Sequence, residues 1–210
     1  MFVRRLTEAE EKTIYDTAAE AAAMFNELGF PWWLSHNSMY SSWLFHGVQP
    51  WEDDLDIAVP RERITDIEAY VTSRGWGFRR MHSFAAKIWN PERAMHRNRY
   101  GWTWPFVDLA LYDEIVTRNS ILIEHDYCKQ FSLLHKDDVL PTRFNHFGDL
   151  MLPVPANPEA YLDIVFPKWR TEVMSAFYCH RTERAYSEPV QYLSPKELSK
   201  EYTLYNVSLD

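Results

Sequence analysis

Apolar residues recur at helical spacing early in the chain, at Ile14, Ala18, Ala21, Ala22, Met24, Phe25 and Leu28. They predict a long helix with a broad apolar face. Thr7-Glu8-Ala9-Glu10 has the form of a capping box, and Gly29 sits where a C-terminal glycine cap belongs. Phe30 to Leu34 reads as a short strand. Ser35-His36-Asn37-Ser38 reads as a turn, with Ser38 capping a helix through Met39, Trp43 and Leu44. A loop follows from Gly47 to Pro50. From Asp54 to Val59 polar and apolar residues alternate, which is the period of a strand, and Pro60 ends it. Glu62 to Ser73 is helical and stops at Gly75.

Short strands are expected through Phe78, Phe84 and Ile88, then an exposed basic loop from Pro91 to Tyr100. Phe106 to Tyr112 is an apolar strand interrupted by Asp108, and Ile121 to Ile123 is another strand. Leu152-Pro-Val-Pro155 is extended by its prolines, and Pro158 to Ile164 starts a helix with proline in its first turn. This mixture predicts an α+β fold, with α/β as the neighbouring class: a small mixed sheet flanked by helices. No linker divides the chain. One domain is expected over residues 1–190, with a partly disordered charged tail over residues 191–210.

Composition sharpens this picture. Aromatic residues make up 16% of the 210 positions, including nine Trp, so the core is heavily packed or a site stacks bases or sugars. A net charge of −8 argues against non-specific binding to nucleic acid, which needs a basic face. It leaves room for a phosphorylated small substrate when metal ions lie between the charges. Cys128 and Cys179 form no CxxC pair and no zinc spacing; they read as reduced thiols, with a mutual disulfide as the alternative. No signal-peptide pattern and no membrane-length apolar run is present. The chain as given reads as cytoplasmic, or as a secretory-pathway luminal domain if it is a fragment of an anchored protein.

The candidate chemistry lies in the acids. Residues i and i+2 of a strand point to one face, so Asp54 and Asp56 are expected to project together. Two carboxylates side by side repel each other unless a cation lies between them, and hard oxygen ligands suit Mg²⁺ or Mn²⁺. Asp108 interrupts Phe106, Val107, Leu109 and Leu111, where an unpaired charge is costly. It needs a metal, a proton or a cationic partner. Three carboxylates on neighbouring strands would hold metal ions that neutralise donor phosphates and polarise an attacking hydroxyl. Asp108 is also a candidate base for that hydroxyl. On spacing alone a DxD is weak, and the run Glu52-Asp53-Asp54 reads as a solvated surface.

The context of these acids is more specific. The segment from Trp33 to Ile57 resembles the signature of the LicD/fukutin family, a Gly-x-x-Pro-Trp loop leading into a D-x-D-h-D strand start. Gly47, Pro50, Trp51, Asp54 and Asp56 match in position, and Glu52 stands for the first acid. Trp102 to Tyr112 resembles the family's later strand, and Leu152 to Leu162 its proline-containing segment and helix. The resemblance runs in order from Pro31 to Arg170. It implies a nucleotidyltransferase fold. It also implies transfer of phosphocholine or a sugar-alcohol phosphate from a CDP-activated donor to a glycan or other hydroxyl acceptor. By resemblance, Asp54 and Asp56 are Mg²⁺ ligands and Asp108 is the third carboxylate.

The family's glycine pair is His36-Asn37 here, and Leu44 stands near the place of its arginine. Asn37 tolerates unusual backbone angles, and Ser38 supplies a hydroxyl and a helix N-terminus, so both are expected to meet the donor. Lys87, in an apolar strand-like run, contacts donor phosphate, pairs with an acid or faces solvent. His36 reads as a turn residue. His146 and His180 have no metal spacing and read as surface or structural residues. Arg97 and Arg99 read as a solvated loop, and the adjacent Glu124-His125-Asp126 cannot assemble a triad. The substitutions leave a second reading open, a catalytically degenerate LicD-like binding module. A third, a metal-dependent nucleotidyltransferase acting on nucleic acid, is opposed by the acidic balance.

Overall fold

The computed structural model describes residues 2, 4–117, 121–127 and 130–209. Cys128 lies outside them, and with it the question of its pairing with Cys179. The side chains of Glu124, His125 and Asp126 lie outside them too.

Helix α1 (Glu8–Leu28) begins and ends where its sequence signals lie. The Thr7 side chain and Glu10 form the reciprocal cap, and Gly29 takes the left-handed conformation at φ 70°. Its buried positions include the expected stripe from Ile14 to Phe25. Strand β1 (Trp33–Leu34) is followed directly by α2 (His36–Phe45). Ser35, not Ser38, is the capping residue, because it alone has the extended backbone that a cap requires. Ser38 lies within the helix.

Strand β2 (Asp56–Pro60) starts two residues later than the alternation predicts. Helix α3 (Ile64–Ser73) leads to the hairpin β3 (Gly77–His82) and β4 (Ala85–Trp89). A short ribbon, β5 (His96–Arg97) with β6 (Thr103–Trp104), precedes the long strand β7 (Val107–Val116). Strands β8 (Ile121–Tyr127) and β9 (Gln130–His135) continue antiparallel from the far half of β7.

The sheet has seven strands, ordered β1-β2-β7-β4-β3, with β8 and β9 attached to β7. Within it β2 and β7 run parallel, and every other recorded pairing is antiparallel. The fold is α+β, as expected.

After β9 come a turn of helix, α4 (Lys136–Val139), and the ribbon β10 (Arg143–Phe147) with β11 (Leu150–Val154). Helix α5 (Pro158–Val165) is capped by Asn157. The C-terminal part holds two small ribbons. Strand β12 (Val173–Met174) pairs with β15 (Tyr192–Leu193), and β13 (Tyr178–Cys179) pairs with β14 (Arg184–Ala185).

Within residues 191–210 the chain carries a further short helix. It forms α6 (Pro195–Leu198) with a complete capping box. It then docks on the end of α2, where the Tyr205 N–H donates to the Leu44 carbonyl at 2.8 Å and the Asn206 side-chain amide to that of Trp43 at 2.9 Å. The Tyr205 ring also stacks on His46 with centroids 3.6 Å apart. Among the described residues no helix is long and apolar enough to cross a membrane.

Candidate functional site

The sheet register assembles the site. Asp56 on β2 lies opposite Asp108 on β7, and Asp108 lies opposite Lys87 on β4. Residues paired across strands share a face, so the three form one row over three strands. Apolar neighbours hold it there: Ile57, Leu109 and Ile88 are fully buried. The row itself is covered, with exposures of 2% at Asp56, 4% at Asp108 and 6% at Lys87. The Lys87 ammonium donates to both oxygens of Asp108 at 2.6 and 2.8 Å and lies over the Phe106 ring at 3.7 Å. Of the readings of Lys87, pairing with an acid is the one the structure has. The cationic partner that Asp108 needed is this lysine.

Asp54 precedes the strand, so strand alternation does not bring it beside Asp56. It sits in a loop, residues 52–55, that is buried rather than solvated. Glu52 and Asp53 are almost inaccessible, and the Asp54 side chain is 8% exposed. Burial pushes the Asp54 carboxyl above its ordinary range; Asp53 and Asp108 push the same way, while His180 and Lys87 oppose them. Glu52 is raised further, by burial first and then by Asp54, Asp53 and Asp56.

Asp53 is a structural tie. Its carboxylate accepts from the His180 N–H at 3.0 Å and from the Arg181 N–H and Nε, each at 3.1 Å. Its carbonyl accepts from Trp104 Nε1 at 2.6 Å. Asp53 thus ties the loop to the hairpin through its side chain and to Trp104 through its carbonyl, while the next part of the loop reaches β7, where the Asp108 N–H donates to the Leu55 carbonyl at 2.8 Å.

The turn before α2 keeps its unusual backbone. His36, at the first glycine position, has φ +42°, the left-handed region that glycine adopts without cost. Its backbone N–H donates to the Tyr161 hydroxyl at 3.1 Å, and Ser35 Oγ lies 2.8 Å from His36 Nδ1 and 3.1 Å from the same hydroxyl. Ser38 Oγ accepts the Asp56 N–H at 2.8 Å. Ser38 therefore supports the first residue of β2. Asn37 lines a cleft of about 240 Å³ with Tyr40, Glu52, Phe166 and Trp169. The cleft opens beside the acid loop; Asp54, Asp56, Asp108, Ser38 and Lys87 are not among its walls.

The fit to a divalent cation is partial. Asp54 Oδ1 is buried without a hydrogen-bond partner, and a buried carboxylate oxygen in that state invites a cation. Among the described residues, however, no three His, Cys, Asp or Glu side chains stand together as a metal cage. The Asp108 carboxylate already has the Lys87 ammonium on both of its oxygens. Asp54 and Asp56 are the residues that could hold a cation here, and Mg²⁺ at phosphates ordinarily needs only one or two protein carboxylates.

A sequence profile described as "LicD/FKTN/FKRP, nucleotidyltransferase domain" matches residues 29–157. That span holds the turn, the acid loop and all three members of the charged row. The chain belongs to the LicD/FKTN/FKRP family. Membership points to a transferase of the phosphoryl-transferring kind. A search of curated proteins finds no significant match. Nine solved chains are similar at a significant level. One is the crystal structure of the lincosamide antibiotic adenylyltransferase LnuA, lincomycin-bound. It is 15% identical, with 75% of this chain and 84% of that chain covered and a TM-score of 0.42.

In this LicD-family domain the structure adds residues that sequence reasoning missed. His180, with Nε2 at 3.4 Å from Asp54 Oδ2, has no metal spacing and reads from sequence as a surface or structural residue. Asp53 was hidden in an acidic run. Tyr161 carries no sequence signal for its bond to the turn; only its place on the apolar face of α5 marks it as buried.

Proposed function

We propose that this domain transfers a phosphate-linked alcohol, of the phosphocholine or sugar-alcohol phosphate type, from a CDP-linked donor to a hydroxyl acceptor such as a glycan, with Mg²⁺ or Mn²⁺ as cofactor. The observation that carries the reading is the in-register row Asp56–Asp108–Lys87, with Asp54 beside it, inside the family-matched segment. Asp54 and Asp56 would hold the cation. When bound, it would neutralise donor phosphates and polarise the transferred group. Asp108 is fixed by Lys87, yet each of its oxygens keeps a lone pair, so it can still accept the hydrogen of an incoming hydroxyl. Lys87 sets the local charge so that a phosphate can approach a face carrying several acids. The cleft beside Glu52 has aromatic walls at Tyr40, Phe166 and Trp169 and the Asn37 amide, which suits a ring-sized, hydroxyl-bearing acceptor.

Calorimetry with Mg²⁺ and a panel of CDP, UDP and GDP compounds tests the reading. Cation-dependent binding of a CDP compound is the expected result; absence of nucleotide binding with metal present would refute it. A second reading, a binding module without catalysis, is favoured by one observation. The His36 N–H, at the position where the family's glycines admit phosphate, is already bonded to Tyr161. It predicts that Asp54→Ala leaves biological activity intact. Loss of activity in a folded variant would exclude it.

A further inference from the structure

The hairpin formed by β13 and β14 lies outside the family-matched residues, yet it touches the acid loop through Cys179, His180 and Arg181. Arg181 joins three parts of the fold: its Nε reaches Asp53 and its Nη1 reaches Glu10 on α1 at 2.7 Å. Glu183 accepts from Trp102 Nε1 at 2.8 Å and from the Tyr178 hydroxyl at 3.1 Å. The His180 ring is packed edge-on against Tyr178 at 5.0 Å and Phe106 at 5.9 Å. Phe106 also carries the Lys87 ammonium over its face. The imidazole is thus fixed by its backbone, by two rings and by the anchors on either side, and its Nε2 faces Asp54.

A buried pair serving stability alone would have its polar atoms satisfied. This one does not: Asp54 Oδ1 and His180 Nδ1 are both buried without a hydrogen-bond partner. The imidazole Nε2 stands 3.4 Å from one carboxylate oxygen and the other is bare, within the electrostatic reach of Asp108 and Lys87. We infer that His180 is a positioning residue: the C-terminal hairpin presents it to Asp54 Oδ2 so that Asp54 Oδ1 is held ready for the cation. This rests on the metal-binding half of the function proposed above. The hairpin then belongs to the site, and residues 29–157 alone would bind the cation poorly.

The test uses the full chain and Mn²⁺ alone, titrated without nucleotide and read by calorimetry or by loss of the free-ion spin-resonance signal. His180→Phe keeps the ring packed against Tyr178 and Phe106 and removes only the nitrogens. It should weaken Mn²⁺ binding about tenfold or more, the usual effect of losing a group that orients a ligand. His180→Gln, which returns a side-chain N–H, should recover part of the affinity. Equal Mn²⁺ affinity in wild type and His180→Phe overturns the inference while leaving the cation site standing. Failure of the wild-type chain to bind Mn²⁺ overturns both. If His180→Phe does not fold, wild type against His180→Gln decides: a modest loss supports the inference, and equal or stronger binding overturns it.

Discussion

The turn before α2 and the acid loop before β2 meet at the first residue of β2, Asp56, and have opposite polar accounts. In the turn, the Ser35 hydroxyl, the His36 N–H and imidazole, and the Ser38 hydroxyl all have partners within the protein. In the loop, Asp53 is fully tied, but Asp54 Oδ1 is buried and bare, and the Glu52 and Asp54 carboxyls are pushed upward, chiefly by burial. Complete satisfaction is how a protein builds support; an expensive unsatisfied acid is how it keeps a site open. The difference separates a satisfied turn from a loop with an unsatisfied acid, although both read from sequence as parts of one phosphate site.

The largest effect is expected at the row that the loop adjoins. Lys87→Met leaves Asp108 buried and unpaired, and should lower stability by about 3–5 kcal/mol in urea unfolding. Adding Asp108→Leu should recover most of that loss, since replacing both members of a buried pair is far milder than removing one. A single variant as stable as wild type would mean that the pair does not organise the sheet face. Next in size, Tyr161→Phe removes the acceptor for the His36 N–H and should cost about 1–3 kcal/mol. A loss confined to activity, with unfolding unchanged, would move the turn from support to chemistry.

Asp54→Asn should do the reverse. It relieves a buried, repelled charge and should raise stability by about 0.5–2 kcal/mol while abolishing cation binding, read by thermal unfolding and titration together. Destabilisation would place Asp54 with Asp53 among the structural ties.

Acid titration separates the hairpin anchor from the loop. Burial alone would raise the Glu10 carboxyl, but bonds from the Thr7 backbone and Arg181 outweigh it and pull it from 4.5 down to about 2. The stability it lends is therefore full above 4.5 and lost as pH falls toward 2. Arg181→Met should flatten the stability curve in that window. The smallest effect is expected for His36→Gly. Relief of the left-handed backbone, about 1 kcal/mol, offsets the lost Ser35–His36 bond of about the same size. Net stability should change by less than about 1 kcal/mol, and a larger change would show that one term dominates.

What sequence made legible was local. Thr7, Glu10 and Gly29 delimit α1 by cap chemistry that acts within a few residues, and the alternation around Ile57 and Leu109 marks strands whatever their partners. Asp108 was legible as a charge needing a partner, but the identity of that partner was not, because Lys87 meets it only through the antiparallel β4–β7 register. Asp54 and Asp56 read as a same-face pair, but the strand begins only at Asp56 and Asp54 lies in the loop before it. His180 and Tyr161 reach the site from more than 100 positions away, His180 to Asp53 across 127 and Tyr161 to His36 across 125, and no spacing rule spans that distance.

The parallel pairing of β2 with β7 also governs when the site can exist. Parallel neighbours cannot be joined by a tight turn; the chain must leave the sheet and return. Between Pro60 and Val107 that excursion contains α3, the β3–β4 hairpin and the β5–β6 ribbon. Asp56 and Asp108 come face to face only after it has closed, and closing a long loop ahead of its rewarding contacts is slow. A refolding chain will recover its helical signal before its substrate affinity. In stopped-flow refolding, the lag between the two would time the closure of that crossover.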